Sequence, residues 1–184
     1  MRRDRERGAS LVEVGLILPV LIVLAIGLSE IGFLVVDYLT VSNAAREGAR
    51  TGAAAANFDQ AGVDADDLIL EAVEEAACNL KFGTLEKVLI FKANGVGEPT
   101  VGFINEYSPP GALNCGSPLN SLSCDNGCPW APASRDRVPD GGIDVLGVEV
   151  TFSHTSVTGL FPFPTTDWTE TAVMQIEPDT KGTQ

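Results

Sequence analysis

The stretch RGASLVEVGLILPV, residues 7 to 20, combines a glycine, a carboxylate and an apolar run in a spacing that suits proteolysis followed by charge pairing. Cleavage of the peptide bond after Gly8 would give a chain whose first residue, Ala9, carries a free amine and whose fifth residue is Glu13. Glycine has no side chain, so a peptidase can approach the backbone closely. An amine with a pKa of about 8 is cationic at neutral pH and can pair with a carboxylate. A cut after Gly8 would therefore give Glu13 a cationic partner, whereas Gly8 taken alone is an incidental small residue of the N-terminus.

An apolar block surrounds Glu13 and runs from Leu11 to Val36, with Glu13, Ser29 and Glu30 as its only clearly polar members. The block exceeds the length of about 20 residues that a helix needs to cross a bilayer. A charged side chain at the bilayer centre costs about 2.5 to 3.5 kcal/mol on insertion scales, so each carboxylate needs a partner or an interface. Glu30 is far enough along the helix from Glu13 to lie near the outer headgroups.

Three arrangements are open for Glu13. Its side chain can reach water at the inner interface, or it can contact the amine of Ala9 in its own chain at i to i+4 spacing. It can also pair with the amine of a neighbouring subunit when such helices form a bundle. We favour the last arrangement, in which Glu13 sets the register of one helix against the next.

The charges at the N-terminus indicate its orientation. Four arginines precede residue 8, and Lys and Arg are enriched on the cytoplasmic side of membrane spans, so we expect everything after Val36 to lie outside the cytoplasm. A cleaved signal peptide is the competing interpretation, but its apolar region has only about 7 to 15 residues. The net charge of −13 argues against binding to a phosphate backbone. We therefore expect a retained single span in the inner or cytoplasmic membrane and no nucleic-acid partner.

Helical periodicity continues beyond the apolar block. Gly48 and Gly52 would each destabilise a helix by about 0.5 to 1 kcal/mol relative to alanine, so we expect a close packing partner at both positions. That partner is either the domain's own sheet or another subunit. The predicted apolar face of this extension comprises Leu34, Tyr38, Val41, Ala45, Ala49 and Gly52, and the polar side comprises Asp37, Thr40, Glu47 and Arg50.

The rest of the chain indicates a second helix followed by strands. Asp64, Asp66 and Asp67 precede an amphipathic segment, and aspartates at a helix start bind its free amides; their spacing does not suit a calcium loop. After Gly83 four short segments alternate with a period of two, and a loop rich in Pro, Gly and Cys interrupts them at about 107–142. The pattern predicts an α+β fold, in which a long N-terminal transmembrane helix continues into an exported domain and a second helix packs on a small antiparallel sheet.

Three stretches carry a resemblance to a known family: RGASLVEVGLILPVL, GLSEIG near the end of the apolar block, and NAAREGAR at residues 43–50. They resemble the TadE-like pseudopilins, minor pilins of the tight-adherence (Tad or Flp) type IV pilus system. The resemblance implies that a prepilin peptidase removes the leader, and that the partners are other pilins or pseudopilins and the pilus assembly platform. It also implies a role in assembling or building a cell-surface pilus. The predicted divisions are a basic leader at 1–8, a transmembrane helix at 9–36 and an exported domain at 37–184.

Four cysteines lie in the predicted exported domain, Cys78 on the second helix and Cys115, Cys124 and Cys128 in the long loop. Their spacing, without a nearby histidine, is poor for zinc, whereas exported domains favour disulfides. Four cysteines allow three pairings. Our preferred pairing joins Cys124 to Cys128 and Cys78 to Cys115.

No motif indicates catalysis, a cofactor or a metal. His154 is the only histidine, and the chain has no nucleophile elbow, P-loop or metal-binding His pair, so we interpret His154 as a surface or packing residue at a strand end. We predict a non-enzymatic assembly protein, a minor pilin or pseudopilin processed after Gly8. The alternative is a single-pass membrane-anchored extracytoplasmic binding or adhesion module. A third possibility, an anchored hydrolase, lacks a recognisable nucleophile and base.

Overall fold

The computed structural model describes residues 2–60, 62–78, 80–109, 119, 122–138, 142–159 and 167–178, with the backbone alone for residues 2–10. Helix α1 spans Arg2–Ala55 without a break. Pro19 lies inside α1 and does not end it, as is tolerated in apolar helices when neighbours satisfy the freed carbonyl. The apolar block and the amphipathic extension are therefore one helix of 54 residues.

A short hairpin connects α1 to the second helix. Strands β1 (Asp59–Gln60) and β2 (Val63–Asp64) pair antiparallel and lead directly into α2 (Ala65–Ala77). Asp64 caps α2, because its side chain accepts hydrogen bonds from the amides of Asp66 and Asp67. In return, the Asp67 side chain accepts a hydrogen bond of 2.8 Å from the Asp64 amide. This reciprocal capping satisfies amides that a helix start otherwise leaves unpaired.

Four longer strands form one antiparallel sheet in the order β4-β3-β5-β6. They are β3 (Gly83–Ala93), β4 (Pro99–Tyr107), β5 (Val145–His154) and β6 (Asp167–Gln175). The described part of the long loop between β4 and β5 contains a short 3-10 helix at Pro132–Ser134. Helices α1 and α2 cover one face of the sheet, which confirms the predicted α+β fold. We call α2, the sheet and their loops the head.

The core lies between the two helices and the sheet. Its apolar members include Val41 and Ala45 of α1, Ile69 and Val73 of α2, and alternate residues of β3 and β5. A Cβ on Gly48 would lie 2.6 Å from Val73 Cγ2, and one on Gly52 would lie 2.7 Å from Ile69 Cδ1. Both contacts are too short for a real Cβ atom, so glycine at these positions lets α1 approach α2 and β5 closely. The close partner of both glycines is therefore the chain's own head.

Candidate functional site at the helix–head junction

Helix α1 carries two buried carboxylates, Glu30 and Asp37, near the end of its apolar block. Glu30 is 3% exposed and Asp37 is fully buried. They are seven residues apart, which places them on one face of a helix two turns from each other. Buried carboxylates are stable only when other groups bind their oxygens. The head provides those groups from two different loops.

The loop that follows β5 binds Glu30. The amides of Val157 and Thr158 donate to its carboxylate at 3.1 and 2.7 Å, and the hydroxyl of Thr158 donates at 2.6 Å. Ser156 Oγ donates a fourth bond at 3.2 Å. The sequence interpretation assigned Glu30 to the level of the outer headgroups and did not foresee that a loop of the protein binds it. Only the serine and threonine content of the distant loop hinted at these donors.

Asp37 receives donors from two segments of the head. The amides of Lys81 and Phe82, just before β3, donate to Oδ1 and Oδ2 at 3.1 and 3.3 Å. His154, at the end of β5, places Nδ1 2.9 Å from Oδ2. A carboxylate accepts hydrogen bonds, so this pair requires the proton on Nδ1. We call Glu30, Asp37 and His154 the helix–head clamp.

The helix face predicted from periodicity was wrong at Asp37. The pattern assigned Asp37 to the polar side and Tyr38 to the apolar face, but Asp37 is fully buried and Tyr38 is 39% exposed. The buried stripe continues upward through Val41, Ala45 and Gly48 at three- and four-residue steps. Helical periodicity places a charged residue on the solvent side of a helix. In the structure, N–H groups of Lys81, Phe82 and His154 take the place of water at the Asp37 carboxylate. His154 does lie at a strand end, and its side chain is 11% exposed.

Between residues 11 and 29 no residue of the helix is buried in the part of the chain that the structure describes. Apart from Ile26, which is partly buried, the large apolar side chains from Leu11 to Leu28 are exposed. The helix from Leu11 to Ala55 contains an 18-residue window with a mean hydropathy of 2.7. By length and composition this one helix fits a single-pass membrane anchor. The head reaches down to Glu30, so its contacts overlap the upper end of the predicted span at 9–36.

The predicted processing residues lie at the other end of α1. Gly8 and Ala9 are within the helix backbone, and only the backbone is described there. Glu13 is exposed. Fewer than two helical turns separate it from Pro19, and the clamp lies further still along the same continuous helix. The processing site and the clamp are therefore connected by regular helix.

A second buried polar cluster fastens the long loop to the head. Asp66 of α2 accepts hydrogen bonds from Asn105 Nδ2 at 2.7 Å and from Tyr107 Oη at 2.9 Å, and it pairs with Arg135. The Arg135 guanidinium stacks on the Trp130 ring at 4.5 Å. Burial and the nearby Asp66 carboxylate raise the pKa of Tyr107 well above its usual range, so the phenol remains a donor. The sequence suggested only a helix-start role for Asp66.

The cysteines are all oxidised among the described residues. Cys124 and Cys128 form a disulfide in the long loop, and Cys78 is also disulfide-bonded. Cys115, the partner preferred for Cys78, lies outside the described residues. In the part of the chain that the structure describes, no group of three or more His, Cys, Asp or Glu side chains could hold a metal ion.

Together these features define a class of protein in which one long apolar N-terminal helix, suited to a single membrane span, carries an α+β head that is clamped to its upper half. Residues 8–50 match the model of the family described as TadE-like protein. The match confirms the resemblance predicted from the N-terminal motifs, and it is consistent with a TadE-like, pilin-type protein of Tad systems. No significant match is found among curated proteins or among solved structures. The matched segment contains Glu13, Glu30 and Asp37, and it ends before the head residues that bind the two clamp carboxylates.

Proposed function

We propose that this chain is a minor pilin or pseudopilin that acts in the assembly or structure of a Tad/Flp-type pilus, after a prepilin peptidase cuts between Gly8 and Ala9. The observation that carries the proposal is the family match, which begins at Gly8 and follows α1 to residue 50. The uninterrupted helix Arg2–Ala55 supports it, because removal of the leader would leave one helix that starts at Ala9 and continues into the head.

The role of Glu13 in this proposal is to pair with the new amine of a neighbouring subunit. Its carboxylate is exposed on the apolar helix, where lipid would make an unpaired charge unfavourable. An ammonium group from an adjacent processed chain would neutralise that charge and fix the axial register between helices. The arginine-rich leader would keep the N-terminus cytoplasmic until the peptidase removes it.

The clamp would give the head one fixed orientation on the helix. Glu30 and Asp37 hold loops from two parts of the head, after β5 and before β3. Two anchor points on one rigid helix restrict both rotation and tilt of the head. In a bundle of such helices, each head would then present the same surface outward. Other pilins or pseudopilins and the assembly platform are the proposed partners.

Mass spectrometry of the N-terminus tests the proposal on the full chain extracted from native membranes. We expect a chain that starts at Ala9. Gly8→Val should block cleavage and leave the leader attached. Gly15→Ala is the matched control, because a Cβ at Gly15 would meet nothing within 4 Å, and it should be processed normally. A wild-type chain that retains the leader would contradict the proposal and favour a single-pass anchored binding or adhesion module.

A further inference from the structure

Strand β4 forms one edge of the sheet and exposes large apolar side chains. Val101 is 90% exposed and Phe103 is 41% exposed, while Val96 in the adjoining turn is 80% exposed. An apolar edge strand is a template for pairing with another strand unless something covers it. In this head, residues of the long loop cover part of that edge.

Asn126 occupies the hydrogen-bonding positions that a fifth strand would use. Its Nδ2 donates to the carbonyl of Ile104 at 2.7 Å, and its Oδ1 accepts the amide of Glu106 at 3.3 Å. The amide of Asp125 donates to the carbonyl of Glu106 at 2.8 Å. These bonds satisfy three outward backbone groups of β4, the carbonyl of Ile104 and the amide and carbonyl of Glu106. Residues 124–128 therefore act as an edge cap.

The disulfide holds this edge cap in shape. Cys124 and Cys128 enclose Asn126 in a loop with a sequence separation of four. Gly127 and Cys128 both have positive φ, 78° and 48°, and a residue with a side chain is disfavoured there by about 1 to 2 kcal/mol. The Cys128 amide also lies 3.0 Å from Cys124 Sγ. The disulfide is therefore the covalent link that holds the loop while Cys128 keeps its left-handed conformation.

The other edge of the same sheet is suited to pair with β4. Strand β6 exposes Trp168 and Val173, which are 38% and 37% exposed. Because the strand order is β4-β3-β5-β6 and every pair is antiparallel, β4 and β6 run in opposite directions. A second copy shifted sideways, with its helix pointing the same way through the membrane, would bring its β6 against β4 in antiparallel orientation. A copy of this chain thus supplies a strand of correct direction and apolar character.

We propose that the Cys124–Cys128 disulfide is a redox-sensitive lock on the edge cap, and that its reduction allows β4 to pair with β6 of a second copy of this chain. A dithiol supplies the reducing equivalents. One of its thiolates attacks a sulfur of the disulfide, and its second thiol resolves the mixed disulfide. The dithiol becomes a disulfide, and the two cysteines take up two electrons and two protons. The proposal does not depend on cleavage after Gly8.

The first test measures whether Asn126 caps the edge. Hydrogen exchange is followed at the Glu106 amide in the full chain in detergent micelles. We expect exchange about tenfold faster in Asn126→Ala, which keeps the disulfide, and in the double variant Cys124→Ser/Cys128→Ser, which leaves Cys78 unaltered. Asn43→Ala, at an exposed position of α1, is the control and should match the wild type. Wild-type exchange in Asn126→Ala would overturn the proposal even if the double variant fails to fold.

The second test identifies the partner strand by light scattering. Untreated wild-type chains should form single-chain particles. Three samples should instead form particles whose protein mass grows with concentration: wild-type chains reduced with dithiothreitol, Asn126→Ala, and Cys124→Ser/Cys128→Ser. The mass keeps growing because β4-to-β6 contacts are head-to-tail and do not close into a ring of fixed size. Adding Val101→Lys or Trp168→Lys to Asn126→Ala should abolish growth. A mixture of these two double variants should form pairs only, since one retains β6 and the other retains β4. Failure of the mixture to pair, or persistent single chains in Asn126→Ala, would overturn the proposal.

Discussion

Asp37 and His154 are 117 positions apart in the chain, yet Asp37 Oδ2 and His154 Nδ1 are separated by 2.9 Å. One residue belongs to the long helix α1, and the other ends a central strand of the head. The same carboxylate accepts two amides from the segment before β3. This single side chain therefore joins the helix to both central strands of the sheet, and its removal should be costly.

Asp37→Ala should lower the free energy of unfolding of the head by about 3 kcal/mol, because it leaves buried donors without an acceptor. Asp37→Asn keeps one acceptor oxygen and should cost less. Chemical denaturation of the full chain in micelles, followed by near-UV circular dichroism, measures both. Glu47→Ala, at an exposed position of the same helix, should stay within about 0.5 kcal/mol of the wild type. Equal stability of Asp37→Ala and Glu47→Ala would disprove the anchoring role.

Glu30→Gln should release the loop after β5 while the core of the head stays folded. The change replaces one acceptor oxygen by an NH2 group that cannot accept a bond from Val157 or Thr158. Hydrogen exchange at these two amides should become about ten times faster, whereas amides in β3 and β5 should keep their wild-type rates. A uniform increase throughout the head would mean that Glu30 supports global stability instead of local docking.

Gly48→Ala should destabilise the head although alanine favours helix. The new Cβ would overlap Val73 Cγ2 at 2.6 Å, and overpacking costs about 1 to 3 kcal/mol, which exceeds the helical gain of about 0.5 to 1 kcal/mol. We expect a net loss of about 1 to 2 kcal/mol in thermal or chemical unfolding. At Gly32 a Cβ would meet nothing within 4 Å, so Gly32→Ala should leave stability unchanged or raised. Equal effects at the two positions would argue against close packing at Gly48.

The stability of the head should fall as the pH rises above about 10. Burial and Asp66 raise the pKa of Tyr107 in the folded state. At a pH below the pKa that Tyr107 has in the unfolded chain, the phenol is protonated in both the folded and the unfolded chain, so Tyr107 adds no pH dependence to the stability there. Above that pKa only the unfolded state loses the proton, which favours unfolding. The pKa of Tyr38 is also raised, but that of Tyr107 is raised much further. Ultraviolet titration should therefore show the two tyrosines ionising in separate steps, and Tyr107→Phe should remove the later step. Full ionisation of both tyrosines near pH 10 in the folded chain would contradict this expectation.

The sequence by itself determined the two helices, the four strands of the main sheet and the family resemblance, but not the short β1–β2 hairpin. An apolar block, a 3.6-residue period continuing into residues 43–50, and four alternating segments each depend on neighbours within a few positions. Such short-range signals predicted one long helix, a second helix and an antiparallel sheet. Gly48 and Gly52 also indicated close packing, because glycine destabilises a helix relative to alanine and a close packing partner would offset that loss.

The tertiary structure alone decided what binds the carboxylates. Nothing near Glu30 or Asp37 in the sequence reveals that loops at residues 81–82 and 156–158 provide their hydrogen bonds, and nothing near Asp66 reveals Tyr107 and Arg135. Local periodicity assigns a charged side chain to water because water is the default partner for its oxygens. Folding replaces water with donors that are distant in the chain, and only the three-dimensional arrangement of strands and loops specifies which donors those are.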